Sequence, residues 1–153
     1  MTVKEIMKKD VATCTPNDDV ATAVKIMQDH TCGFVPVIDS HGAVAGVVTD
    51  RDLCLAMAIE KHRTAEHVAV KDAMSHPVFS CFPDENLKVV LATMAKHHVR
   101  RLPVLDKHGH MQGVLSIDDI VQTPRRRGTP TAEEIVDALK GICTPRPIET
   151  AVA

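Results

Sequence analysis

Two stretches place a flexible backbone, a hydroxyl and a carboxylate at one shared spacing. They are Gly46-Val47-Val48-Thr49-Asp50-Arg51-Asp52 and Gly113-Val114-Leu115-Ser116-Ile117-Asp118-Asp119. In each, a glycine permits close approach to the strand backbone. The hydroxyl follows three residues later and the acid three after that. This order supports two chemistries. One is a helix cap, in which Thr49 or Ser116 accepts from a free backbone N–H and the carboxylate of Asp52 or Asp119 sits where the helix dipole favours it. The other is a grip on a sugar phosphate. There the hydroxyl and helix start face a phosphate while the Asp accepts both hydroxyls of a ribose. The two are compatible, and the residues alone leave both open.

The elements that must position these groups come from a duplication. Met7 and Met74, Pro16 and Pro83, Met27 and Met94, Pro36 and Pro103, Asp39 and Asp106, Gly42 and Gly109, Gly46 and Gly113, and Asp52 and Asp119 all stand 67 positions apart. A unit of this size does not close its own core, so the two copies are expected to pack as one body. Each copy reads strand, helix, strand, strand, helix. Val11-Ala12-Thr13-Cys14 and Val78-Phe79-Ser80-Cys81 read as short strands running into a proline. Pro16-Asn17-Asp18-Asp19 and Pro83-Asp84-Glu85-Asn86 supply caps for the next helix. Its apolar stripe is Val20, Ala23, Val24 and Met27, or Leu87, Val90, Leu91 and Met94.

Phe34 to Ile38 and Arg101 to Leu105 are branched enough for buried strands, each with a proline marking an edge or an end. Turn chemistry at Asp39-Ser40-His41-Gly42 and Asp106-Lys107-His108-Gly109 returns the chain through Val44 to Val48 or Met111 to Leu115. Second helices are expected from Asp50 to about Glu60 and from Ile117 to about Gln122. The repeats therefore span residues 1–60 and 70–123, joined by a polar connector at 61–69. Residues 124–153 form a basic linker with Arg125-Arg126-Arg127, then a helix at Ala132 to Lys140 opened by a Thr131/Glu134 capping box, then a mobile Thr144-Pro145-Arg146-Pro147 tail.

These motifs resemble the cystathionine beta-synthase type (CBS) domain. The resemblance runs through Lys4-Glu5-Ile6-Met7, Thr15-Pro16, Gly33-Phe34-Val35-Pro36-Val37-Ile38-Asp39, Gly42 and Gly46 to Leu53. It returns in register through Arg101-Leu102-Pro103-Val104-Leu105-Asp106 and Ser116-Ile117-Asp118-Asp119-Ile120. It covers about residues 1–123, as a tandem pair, or Bateman module. The resemblance implies an α/β (α+β) fold with pseudo-twofold symmetry and two clefts between the repeats. It also implies an adenosyl ligand such as AMP, ADP, ATP or S-adenosylmethionine in one or both clefts, and a disk-shaped homodimer. Carried over, Thr49 and Ser116 match the hydroxyl near ribose and phosphate, and Asp52 and Asp119 match the ribose carboxylate. Arg101 matches a position that can hold a phosphate-binding cation.

The copies differ at that position. The counterparts of Arg100 and Arg101 in the first copy are Gly33 and Phe34, so the Ser116/Asp119 cleft is expected to favour phosphorylated ligands. Arg51 is the cation available to the Thr49/Asp52 cleft. Without a ligand, Arg100 and Arg101 read equally as a solvated strand edge.

Composition narrows the remaining classes. At 44% apolar, the 153 residues suffice for a packed core. Tyr and Trp are absent and Phe occurs three times, so a flat ligand is held by aliphatic side chains, His or Arg. A net charge of −2 and the scarcity of aromatics argue against a nucleic-acid surface, and Arg125 to Arg127 read as a solvated linker. No apolar run approaches the roughly 20 residues that span a bilayer, and five unpatterned cysteines suit a reducing compartment. A cytoplasmic chain is expected. His97, His98, His108 and His110 could gather near one hairpin, but the spacing is not that of a closed zinc site, and no metal is expected. Walker, nucleophile-elbow and zincin motifs are absent, so no catalytic residue and no required cofactor are assigned.

The expectation is a free-standing regulatory sensor that binds an adenosine nucleotide and signals to an unidentified protein in trans. The alternative is a homodimeric interaction scaffold with empty clefts.

Overall fold

The computed structural model describes residues 1–59 and 63–145. The expected helix end at Glu60, the connector residues Lys61 and His62, and the tail from Arg146 onward lie outside the described residues.

The first repeat runs from a 3₁₀ turn at Val3–Glu5 through α1 (Val20–Asp29), β1 (Phe34–Ile38), β2 (Val44–Thr49) and α2 (Asp50–Ile59). A second 3₁₀ turn at Ala65–His67 leads into α3 (Val70–Ala73), α4 (Leu87–His97), β3 (Arg101–Leu105), β4 (Met111–Ser116) and α5 (Ile117–Gln122). The last element is α6 (Ala132–Cys143). Asp19 caps α1 by accepting from Thr22 N at 2.7 Å, and Asn86 caps α4 by accepting from Lys88 N at 3.0 Å. These are the capping residues that the two Pro-led stretches promise.

Each repeat carries an antiparallel hairpin, β1 with β2 and β3 with β4, with the same register irregularity at Val37/Ile38 and Val104/Leu105. The turns close as their sequence demands. Asp39 Oδ1 accepts from His41 N and Ala43 N, Asp106 Oδ1 from His108 N and His110 N, and Gly42 and Gly109 sit at φ of 81° and 84°. The backbone donors of Ala43 and then His41 hold the Asp39 carboxyl below the usual carboxylate range.

The expected leading strands shrink to a single rung. Cys14 forms one parallel bridge to Val37, and Cys81 one to Val104. The Cys14 N–H donates to Pro36 O and Ile38 N donates back to Cys14 O, at 3.2 and 2.8 Å. The ladder on this side of β1 thus begins at the Pro36 carbonyl and asks for no N–H from that residue. A proline therefore sits inside the strand without an orphaned partner. Cys81, Pro103 and Leu105 repeat the arrangement.

The two bodies are completed by exchange. Val3 N donates to Glu85 O and Lys4 N to Pro83 O, while in the other direction Val70 N donates to Asp18 O and Lys71 N to Pro16 O. Val3 is fully buried in the core of the second repeat, among Leu87, Val90, Met94, Leu102 and Leu115. Val68 and Val70 are buried in that of the first, among Val20, Ala23, Val35, Val37 and Val48. Each repeat's leading segment closes the other's core, which is the physical reason one copy does not suffice. Fully burying one such side chain contributes about 1.5–3 kcal/mol.

α6 has no counterpart in the first repeat. Its Ala138 and Ile142 join the second core, and Gly141 lies so close to α4 that a Cβ there would meet the Ala95 side chain at 3.0 Å. The Thr131/Glu134 capping box forms as expected, and the helix continues past Lys140 to Cys143.

Candidate functional site

Thr49 and Ser116 are the last residues of β2 and β4, and each strand passes directly into the next helix. The same hydrogen bonds form at both ends. Asp52 Oδ2 accepts from Thr49 N and Oγ1 at 2.9 and 2.8 Å, and Asp52 N donates to Thr49 Oγ1 at 3.2 Å. Asp119 Oδ2 accepts from Ser116 N and Oγ at 2.8 and 2.5 Å, and Asp119 N donates to Ser116 Oγ at 3.1 Å. The capping chemistry is therefore present in both copies. It engages one oxygen of each carboxylate, and Oδ1 of each is free of it.

The strand glycines serve a close approach by protein rather than by ligand. A Cβ on Gly46 would meet the Met74 sulfur at 2.6 Å, and one on Gly113 would collide with the Lys8 carbonyl. Those neighbours belong to the exchanged leading segments. Lys8 and Val114 exchange backbone hydrogen bonds, both 2.9 Å, and Ser75 and Val47 do the same at 2.8 and 3.2 Å. Each hydroxyl-acid pair is thereby flanked by a segment of the other repeat.

The two surroundings differ in charge. Arg101 is the cross-strand partner of Ser116, and its Nη2 lies 3.8 Å from Asp118 Oδ2. The equivalent partner of Thr49 is Phe34. Arg100 is exposed, and its carbonyl accepts from Ile117 N at 2.9 Å, tying the β3 entry to the start of α5. Gly33 O accepts from Asp50 N at 3.4 Å in the other copy. Arg51 is exposed on the first turn of α2, its N–H donating to Asp50 Oδ1.

Lys8 is the residue that sequence reasoning missed. Its Nζ lies 3.6 Å from Asp119 Oδ1, the oxygen that the capping box leaves aside. The available signal was the pairing of Lys8 with Ser75 by the repeat offset, but only the exchange carries Lys8 to the other repeat's motif.

The histidines weighed for zinc are engaged separately. The His97 ring stacks on Phe79 at 3.9 Å between centroids, and His98 Nδ1 lies 2.7 Å from Gly141 O. His108 and His110 lie at the β3–β4 turn. Among the described residues, no group of three His, Cys, Asp or Glu is placed to hold a metal ion.

Comparison with known proteins agrees with this arrangement. The CBS domain pattern matches twice, over residues 3–59 and 70–125. YlbB of Bacillus subtilis (strain 168) is 36% identical over 132 residues, covering 83% of this chain and 86% of YlbB. The CBS domain pair of MJ0100, solved with 5′-methylthioadenosine and S-adenosyl-L-methionine, superposes with a TM-score of 0.72 at 27% identity. That match covers 80% of this chain and 94% of the other. CBSX2 in complex with AMP superposes with a TM-score of 0.70 at 26% identity, over 79% of this chain and 93% of the other. Twin caps in register, cores closed by exchanged segments and a domain pattern matched once per repeat together place the chain in the CBS domain family, as a tandem CBS pair.

Proposed function

We propose that the chain is a regulatory ligand-sensing module that holds an adenosine-containing ligand against Ser116 and Asp119, with Thr49 and Asp52 as the second, weaker-charged position. The observation that carries this reading is the Asp119 carboxylate. Its side chain is 11% exposed, its Oδ2 is fixed by Ser116, and Arg101 is the cross-strand partner of Ser116, with its guanidinium 3.8 Å from the adjacent Asp118. A carboxylate held in place suits a ribose diol, which donates two hydroxyls, and a nearby guanidinium suits the attached phosphate. The bound AMP of CBSX2 and the adenosyl ligands of MJ0100 support the ligand class. Arg100 adds charge to the Ser116 cleft, and Arg51 is the cation on the Thr49 side. AMP, ADP and ATP are the ligands suited to the Ser116 cleft, and S-adenosylmethionine to the other. The role is binding rather than catalysis, exercised in the cytoplasm on a protein partner. Among the described residues, no helix is long and apolar enough to cross a membrane.

A second reading, a homodimeric scaffold, draws on the face between α1 and α2. Val24 is about half exposed there, at a groove of about 470 Å³ lined also by Val20, Met27, Leu53 and Met57.

Titration calorimetry with AMP, ADP, ATP, S-adenosylmethionine and NADH separates the two. The sensor binds at least one saturably and loses it in Asp119→Ala. Ligand at a hundred times its dissociation constant raises stability by about 2.7 kcal/mol. Absence of binding at millimolar concentration, with oligomeric state and melting temperature indifferent to nucleotide, overturns the sensor in favour of the scaffold.

A further inference from the structure

We infer that Lys8 is the charge selector of the Ser116/Asp119 cleft, leaving Asp119 for a ligand's phosphate when the ribose arrives; this rests on the ligand-sensing reading above. The backbone of Lys8 is pinned to Val114 by two hydrogen bonds, yet its side chain is 74% exposed. A fixed root with a mobile cation is what an exchange of partners requires. Nζ lies 3.6 Å from Asp119 Oδ1, while Oδ2 is held by the Ser116 N–H and hydroxyl. That distance is beyond a good charge-assisted hydrogen bond, and with its lysine end in solvent the pair is weak although Asp119 itself is largely buried.

A ribose that donates to Asp119 must use Oδ1, the oxygen Lys8 approaches. The two therefore meet at a single atom. A 5′-phosphate, one carbon from the ribose ring, offers Lys8 a doubly charged acceptor in exchange, with Arg101 on the adjoining strand as second cation. Neutral adenosine offers Lys8 nothing in return for Asp119. A sulfonium at the same carbon would bring a positive charge towards both.

The other cleft supplies the internal contrast. Ser75 occupies the Lys8 position, bonded to Val47 as Lys8 is to Val114, and Phe34 occupies the Arg101 position. Neither cation is present there. The two hydroxyl-acid pairs thus share ribose chemistry and differ in the charge they accept at the 5′ position.

The test measures dissociation constants of AMP and adenosine by titration calorimetry, at the site lost in Asp119→Ala, for the wild-type chain, Lys8→Met and Ser75→Met. Methionine keeps most of the aliphatic stem, and unchanged melting of the free variant confirms its fold. In Lys8→Met, AMP affinity should fall about tenfold while adenosine affinity holds or rises, so that the AMP preference drops by at least that factor. Its salt dependence should weaken as well. Ser75→Met should leave the preference at this site unchanged. An AMP preference that survives Lys8→Met intact overturns the selector role while leaving the sensor reading standing. So does a wild-type site that binds adenosine as tightly as AMP. Binding of neither ligand to the wild-type chain overturns the sensor reading itself, and the selector with it.

Discussion

Ser116 donates its hydroxyl hydrogen to Asp119 Oδ2 and accepts from the Asp119 N–H, so the side chains offered to a ligand also start a helix. Replacing Ser116 by Ala should therefore cost about 0.5–2 kcal/mol in urea unfolding even with no ligand present. Thr49→Ala should cost a similar amount, because its box is the same. These two caps were legible in the sequence because a cap is local, its partners three residues apart. The Lys8 approach was not, because nothing in residues 4–9 announces that they lie on the second repeat. Cysteine chemistry also divides at this scale. Burial pushes the Cys14 thiol up to about 11 and the Cys81 thiol to about 12, whereas Cys54 and Cys143 are exposed. Only a thiolate attacks an alkylating reagent. At pH 8, iodoacetamide should label Cys54 and Cys143 in the folded chain and reach Cys14 and Cys81 only on unfolding, as peptide mass spectrometry would show.

Elements with a full apolar period were readable. α1 and α4 each carry a four-residue stripe, and seven of those eight side chains are at most 8% exposed, Leu91 among them at 2%. Val24, the counterpart of Leu91, is 48% exposed. The difference is α6, which lies along α4 and has no equivalent over α1. The segments at 11–14 and 78–81 are shorter as strands than their sequence suggests, since a short apolar run says nothing about how many neighbours exist to pair with. The one-rung outcome depends on β1 and β3, which are not local to them. Val68 was placed in a polar connector because a single buried valine has no period to reveal it. The seat of α6 depends on Gly141, where any side chain would press on Ala95. Gly141→Leu should lift the helix, with a loss of about 1–3 kcal/mol and faster amide exchange in α6 than in α1. The Lys88–Glu134 ion pair, 2.6 Å but half exposed, is too weak to hold the helix by itself.

For the molecule as a whole, the exchanged segments make the two cores one cooperative unit. Leu87→Ala, at a fully buried site in the second core, should cost about 2–5 kcal/mol. Because Val3 and Val70 tie each core to the other repeat, the first repeat should melt with the second in one calorimetric transition. Two separate transitions would show instead that each repeat stands alone. The same exchange bears on how the chain is made. Val3, Lys4 and Lys8 leave the ribosome well before their respective partners Glu85, Pro83 and Val114. At about 5–20 residues per second, the amino-terminal segment waits several seconds with nothing to pair with. The first repeat can gather around Val68 and Val70 in that interval, but the second cannot be sealed until its own sequence has emerged and the segment leading the first repeat has folded back over it. Birth order and assembly order therefore run in opposite directions, and the nascent chain must keep the apolar residues that lead the first repeat from other partners until the second repeat has emerged.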